Sequence, residues 1–170
     1  QLTAHKDVDM VSFTGSTRAG IAISKSAADS LKRVSLELGG KGANVVFADA
    51  DDKAVARGVL RCMNNTGQSC NAPTRMLIQR EIYDQAVEIA AATANKIVVD
   101  SSHKEGPHMG PVVNEVQFNK IQGLIQDGID EGARLIAGGT GRPDGLNRGF
   151  YVKPTIFADV NNQMKIAREE

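Results

Sequence analysis

Met10-Val11-Ser12-Phe13-Thr14-Gly15-Ser16-Thr17-Arg18-Ala19-Gly20 is the stretch on which the fold turns. Met10 to Thr14 reads as a short strand running into Gly15, and Thr17 to Ala28 as the helix that follows. A strand passing through a glycine into a helix start is the geometry of a phosphate site. Glycine permits a tight turn, and the first helical amides point N–H groups at an anion. Ser16 and Thr17 add hydroxyl donors. The stretch is not G-x-G-x-x-G, because Thr17 fills the second glycine position. A capped helix start explains it more simply, and a nucleotide reading stays open.

Outward from this unit, strand-like and helix-like segments alternate. Arg33 to Leu38 and Ala43 to Phe47 are expected strands. Asp49 or Asp51 can cap a helix whose apolar positions are Val55, Val59 and Cys62. Thr74 to Gln79 reads as a strand, and Glu81 to Ile97 as a helix, with Ile82, Ala86, Ala90, Thr93 and Ile97 stepping by three and four. Phe118, Ile121, Ile125 and Ile129 mark a further helix, and Arg134 to Ala137 a strand. Gly138 to Gly149 is a glycine-rich loop, and Tyr151 to Phe157 a last strand interrupted by Pro154. After the Asn-rich stretch near Asn161 no closing helix is expected. Strands alternating with helices predict an α/β fold: a mainly parallel sheet with flanking helices. The abrupt ends read as truncation on both sides.

Composition narrows the function classes. The 170 residues are 41% hydrophobic and 24% charged, the ordinary range for a globular domain. Twenty Lys and Arg balance 20 Asp and Glu, so no basic surplus suggests nucleic acid. Five Phe, two Tyr and no Trp leave little for base stacking or a membrane belt. No apolar run approaches the roughly 18 residues that span a bilayer. Two cysteines are too few for a disulfide framework. A cytoplasmic protein is the expectation.

Three features could carry chemistry. Gly39-Gly40-Lys41 is not a P-loop, because Ser35 and Gly42 stand where that motif needs Gly and a hydroxyl. What remains is a carboxylate, Glu37, at the carboxyl end of an apolar strand, where α/β proteins place active groups; taken alone, a solvated strand-end Glu is the simpler reading. Cys70 lies in the polar run Asn64-Asn65-Thr66-Gly67-Gln68-Ser69-Cys70-Asn71. A reactive thiolate needs polar donors and access, so nucleophile and plain loop residue both fit. Cys62, on an apolar helical stripe, reads as core. The cysteine spacing and the loop residues His103 and His108 match no zinc pattern, so no metal is expected. Nothing local recommends either histidine as the partner base of a cysteine protease.

Taken together, Phe13-Thr14-Gly15-Ser16-Thr17 with Gly20, Leu36-Glu37-Leu38-Gly39-Gly40-Lys41 and Gly67-Gln68-Ser69-Cys70 resemble the aldehyde dehydrogenase superfamily. Gly110-Pro111-Val112-Val113, Gly149-Phe150-Tyr151-Val152 with Pro154-Thr155, and Glu169-Glu170 continue the likeness in the same order. It spans essentially the whole chain.

The resemblance implies NAD- or NADP-dependent oxidation of a small aldehyde, with Cys70 as nucleophile and Glu37 as general base. It implies that Gly15 and Ser16 meet the cofactor pyrophosphate, that Gly39 lies beside the nicotinamide, and that Glu170 holds the nicotinamide ribose. The Cys70 backbone N–H would hold the oxyanion with an Asn from upstream of Phe13, a role not transferred to Asn71. Residues 1–40 would close a cofactor domain and 41–170 would form part of a catalytic domain. The parent would be a homo-oligomer, dimer or tetramer, without nucleic-acid or membrane partners. The isolated 170 residues would be inactive. The alternative is a non-catalytic nucleotide-binding or structural module derived from the family.

Overall fold

The computed structural model describes all 170 residues. They form two compact units, Gln1–Gly40 and Lys41–Glu170.

The first unit is a strand–helix–strand motif: β1 (Met10–Gly15), α1 (Thr17–Ala28) and β2 (Arg33–Leu38). The strands are parallel, with Met10 opposite Arg33 and Gly15 opposite Leu38. Alternation sorts the side chains. Val34, Leu36 and Leu38 are partly buried, whereas Arg33, Ser35 and Glu37 are exposed. Gly20 lets α1 sit directly on that apolar face, since a Cβ there would come within 2.9 Å of Leu38 Cδ2. Lys32 Nζ donates to the carbonyls of His5 and Val8, both at 2.7 Å, which ties down the lead-in segment.

The second unit opens with a parallel pair, β3 (Ala43–Val46) and β4 (Arg75–Ile78), joined through α2 (Ala54–Met63). With α3 (Tyr83–Ala94), α2 covers one face of this pair. Val46, Val55, Val59, Ala86, Ala90 and Ala94 form its core, which reaches Ala137. The opposite face leaves Val45, Phe47 and Leu77 exposed. Helix α4 (Glu115–Asp130) starts at an Asn114 cap that accepts the Gln117 N–H at 2.9 Å. Its Phe118 packs with Met109, Val112 and Val152 in a second core. Two further strands, β5 (Arg134–Ala137) and β6 (Ile156–Ala158), pair antiparallel. The α/β class stands, with two parallel pairs and one antiparallel pair. No helix is long and apolar enough to cross a membrane.

Four expectations need correction. The strand anticipated over 151–157 pairs only from Ile156 to Ala158. Pro154 has no N–H to give a ladder, and the Thr155 hydroxyl is taken by the Gly139 N–H at 3.1 Å. The helix anticipated over 81–97 begins as a 3-10 turn and is α-helical only from Tyr83 to Ala94. Its Thr93 hydroxyl bonds back to the Ile89 carbonyl at 2.7 Å, a contact that competes with helix propagation just before the end. The side chain of Asp51 caps no helical amide. It accepts the N–H of Lys53, the residue just before the helix, at 3.0 Å, and grips Arg57. The chain also has a closing helix, α5 (Lys165–Arg168), whose first N–H is taken by Glu131 at 2.7 Å.

Candidate active site

In the first unit, the parallel register brings the sequence's suspected groups to one end. Glu37 stands opposite Thr14, one residue short of the pair Gly15 and Leu38. Its side chain is exposed and lies on the sheet face away from α1. Gly39 follows β2 directly, so Gly15, Ser16, Glu37 and Gly39 all gather at the carboxyl ends of β1 and β2. Ser16 is the N-cap of α1, its Oγ accepting the Ala19 N–H at 3.3 Å. The Gly20 N–H goes to the Ser16 carbonyl, which leaves the N–H groups of Thr17 and Arg18 at the helix mouth. Gly15 is not left-handed, and the one close neighbour a Cβ would meet is the tip of the Phe13 ring, which would have to shift. A Cβ there would lie 2.5 Å from Phe13 Cζ. Bare backbone, a hydroxyl and two open amides fit a dinucleotide pyrophosphate.

In the second unit, Cys70 is exposed and Cys62 is partly buried. The Ala72 N–H donates to the Ser69 carbonyl at 3.0 Å, making a turn with Cys70 and Asn71 at its tip. The Cys70 N–H enters none of the backbone hydrogen bonds of this turn. Burial pushes the Cys62 thiol up, against the pull of the Lys41 ammonium. Burial likewise lowers Lys41, opposed by Cys62 and Glu170 and assisted by Arg75. Cys62 is therefore the withdrawn thiol and Cys70 the accessible one. Glu170 is exposed, and its backbone carbonyl accepts from Lys120 Nζ. No group of three or more His, Cys, Asp or Glu is placed to hold a metal ion.

Two side chains passed over in the sequence support the Cys70 loop. Thr66 Oγ1 donates to the Gly110 carbonyl at 3.0 Å, and Gln68 Oε1 accepts the Val113 N–H at 2.9 Å. Both contacts reach more than 40 positions along the chain, a distance over which no local pattern speaks. Adjacency to Cys70 was the one available signal.

The sequence profile of the Aldehyde dehydrogenase family matches residues 1–170, and the chain belongs to that family. It is 52% identical over 170 residues to 3-succinoylsemialdehyde-pyridine dehydrogenase of a Pseudomonas species, covering 99% of this chain and 36% of that protein. The crystal structure of an aldehyde dehydrogenase from Bartonella henselae superposes with a TM-score of 0.98 at 61% identity, over 99% of this chain and 36% of that one. Aldehyde dehydrogenase C of Pseudomonas syringae, solved as a Cys-to-Ala mutant with NAD+ and octanal, gives 0.94 at 45%, over 99% and 35%. The chain thus spans little more than a third of the length of these relatives.

Proposed function

We propose that the full-length protein containing this chain oxidises an aldehyde with NAD or NADP through a covalent adduct on Cys70. The observation that carries the reading is the contrast between the two thiols: one exposed at a turn tip, the other withdrawn into a helix. Residues 1–40 supply the end of a cofactor domain, and 41–170 supply part of the thiol-bearing domain.

The Cys70 thiolate adds to the aldehyde carbon, and the C=O pair moves onto oxygen. In this reading the Cys70 N–H, which takes no part in the turn's own backbone hydrogen bonds, helps to hold that oxyanion. NAD or NADP, when bound, would supply the acceptor for the hydride that the adduct must lose to become a thioester on Cys70. Gly15, Ser16 and the helix mouth would hold the cofactor pyrophosphate, Gly39 would border the nicotinamide and Glu170 would hold its ribose. Glu37 takes a proton from water, the resulting hydroxide attacks the thioester, and the carboxylic acid leaves as the thiolate returns. Octanal and NAD+ bound by the Pseudomonas syringae relative support this chemical class. Family likeness also supports a homo-oligomer in the cytoplasm.

The test is Cys70→Ser in the full-length protein. Aldehyde-dependent NADH formation should fall to background, and the acyl mass found on the Cys70 peptide of the unmodified enzyme should vanish. A Cys70→Ser protein with unchanged turnover would overturn the reading.

A further inference from the structure

The backbone leading to Cys70 is held in an uncommon shape. Asn65, Thr66 and Gly67 are all left-handed, at φ of 51, 58 and 72°. For a β-branched residue such as Thr66 that conformation is an outlier, and it persists only when the surroundings hold it. The holding groups are visible. Gln68 Nε2 donates to the Asn65 carbonyl at 3.1 Å and to the Pro111 carbonyl at 3.5 Å, while Gln68 Oε1 accepts the Val113 N–H at 2.9 Å. Thr66 Oγ1 adds its bond to Gly110. One amide thus closes the left-handed run on itself and fastens it to the 110–113 segment. The turn that presents Cys70 begins at the next residue, Ser69.

We infer that Gln68 is a positioning residue, which sets where the Cys70 thiolate meets the aldehyde. This rests on the reading of Cys70 as nucleophile. Gln68 is suited to the task because its amide donates and accepts at once. A carboxylate in its place keeps one oxygen as the acceptor for Val113 but turns the other, which has no hydrogen to donate, on the Asn65 and Pro111 carbonyls. A neutral carboxylic acid restores a donor.

Rapid mixing of the full-length enzyme with saturating NAD and aldehyde reads the first turnover directly. Gln68→Ala should slow the NADH burst by about 10- to 100-fold, the scale of a displacement near 1 Å, with the KM for NAD within about twofold. Gln68→Glu should be similarly slow at pH 8. Its rate relative to the unmodified enzyme should recover toward pH 5, because the flanking carbonyls favour the neutral acid. The Gln68→Ala ratio should stay flat over the same range, and general weakening of the fold would not separate the two variants in this way. A Gln68→Ala burst within about threefold of the unmodified enzyme overturns the inference. So does a pH-independent Gln68→Glu ratio, which remains readable if Gln68→Ala misfolds. Cys70→Ser is measured alongside. If it stays active, the nucleophile reading itself fails; if it is dead while Gln68→Ala is normal, only the role of Gln68 fails.

Discussion

Thr14 and Glu37 are register partners at the carboxyl end of the β1–β2 pair. The consequence is positional. Parallel strands end together, so the carboxylate and the Gly15–Ser16 turn emerge at one edge without any contact between their side chains. The alternation that buries Leu36 and Leu38 under α1 turns Glu37 to the opposite face. Moving Glu37 by one position would point it into the helix, so its accessibility is a property of register, not of local polarity.

The two thiols should differ in reactivity. In the full-length protein near pH 7.5, iodoacetamide should label Cys70 about tenfold faster than Cys62 or more, because exposure and thiolate fraction both set the rate. Burial raises the Cys62 thiol, so its labelling should keep accelerating above the usual thiol range. Mass spectrometry of each peptide against time checks this. Equal rates at pH 7.5 would contradict the assignment of Cys62 as the withdrawn thiol.

Gly138 tests the turn that truncates β6. Its φ is +76°, and a Cβ would sit 2.7 Å from Thr155 Cα and against the Pro154 carbonyl. Backbone cannot swing aside as a side chain can, so Gly138→Ala should cost about 3 kcal/mol from strain and overpacking together. Gly145, at φ +78° with open space around it, is the control. There Ala should cost only about 1 kcal/mol, from the left-handed backbone alone. Urea unfolding of both variants separates the two contributions, and equal losses would remove the packing argument.

Asp51 carries the clearest acid dependence. Bonds to Arg57 at 2.7 and 2.5 Å, with the Lys53 N–H, lower its carboxyl to about 2. The folded value lies below the ordinary one of about 3.9. The contribution is therefore present above about pH 4 and is lost as pH falls toward the folded value. Both partners are exposed, so the effect is small and salt-sensitive. Asp51→Asn should lower the urea midpoint slightly and evenly from pH 5 to 8, with the gap narrowing from pH 4 to 3. A gap that widens on acidification would reverse the assignment.

How much of this was legible depended on range. The bounds of α1 and β2 follow from local signals: Gly15, the Ser16 cap and an alternating strand. The shortened β6 follows only in part: Pro154 marks the interruption locally, but the Gly139 bond to the Thr155 hydroxyl is a contact the local pattern cannot contain. The early end of α3 misleads for a different reason: Ile97 keeps the apolar spacing and still packs on the core after the helix has stopped. At the candidate site, Cys70 and Glu37 announce themselves by residue type in a polar or strand-end setting. Gln68 and Thr66 act through carbonyls and amides of 110–113, and backbone groups leave no mark in a sequence.

Glu37→Gln in the full-length enzyme divides the proposed reaction into its halves. Glutamine keeps the size and an accepting oxygen but cannot take a proton. If Glu37 activates the hydrolytic water, adduct formation and one hydride transfer should survive. Thioester hydrolysis should slow by at least about 10²-fold, the usual loss for a missing general base. Mixing with excess aldehyde and NAD should give a stoichiometric NADH burst, followed by a very slow steady phase. An acyl mass should accumulate on Cys70 over the same interval. Because Glu37 is exposed at a strand end and packs against nothing in its unit's apolar face, the substitution should leave the unfolding midpoint unchanged. Loss of the burst itself would assign Glu37 to thiol activation instead. An unaltered steady rate would take Glu37 out of the chemistry and leave it the solvated strand-end residue that its exposure alone suggests.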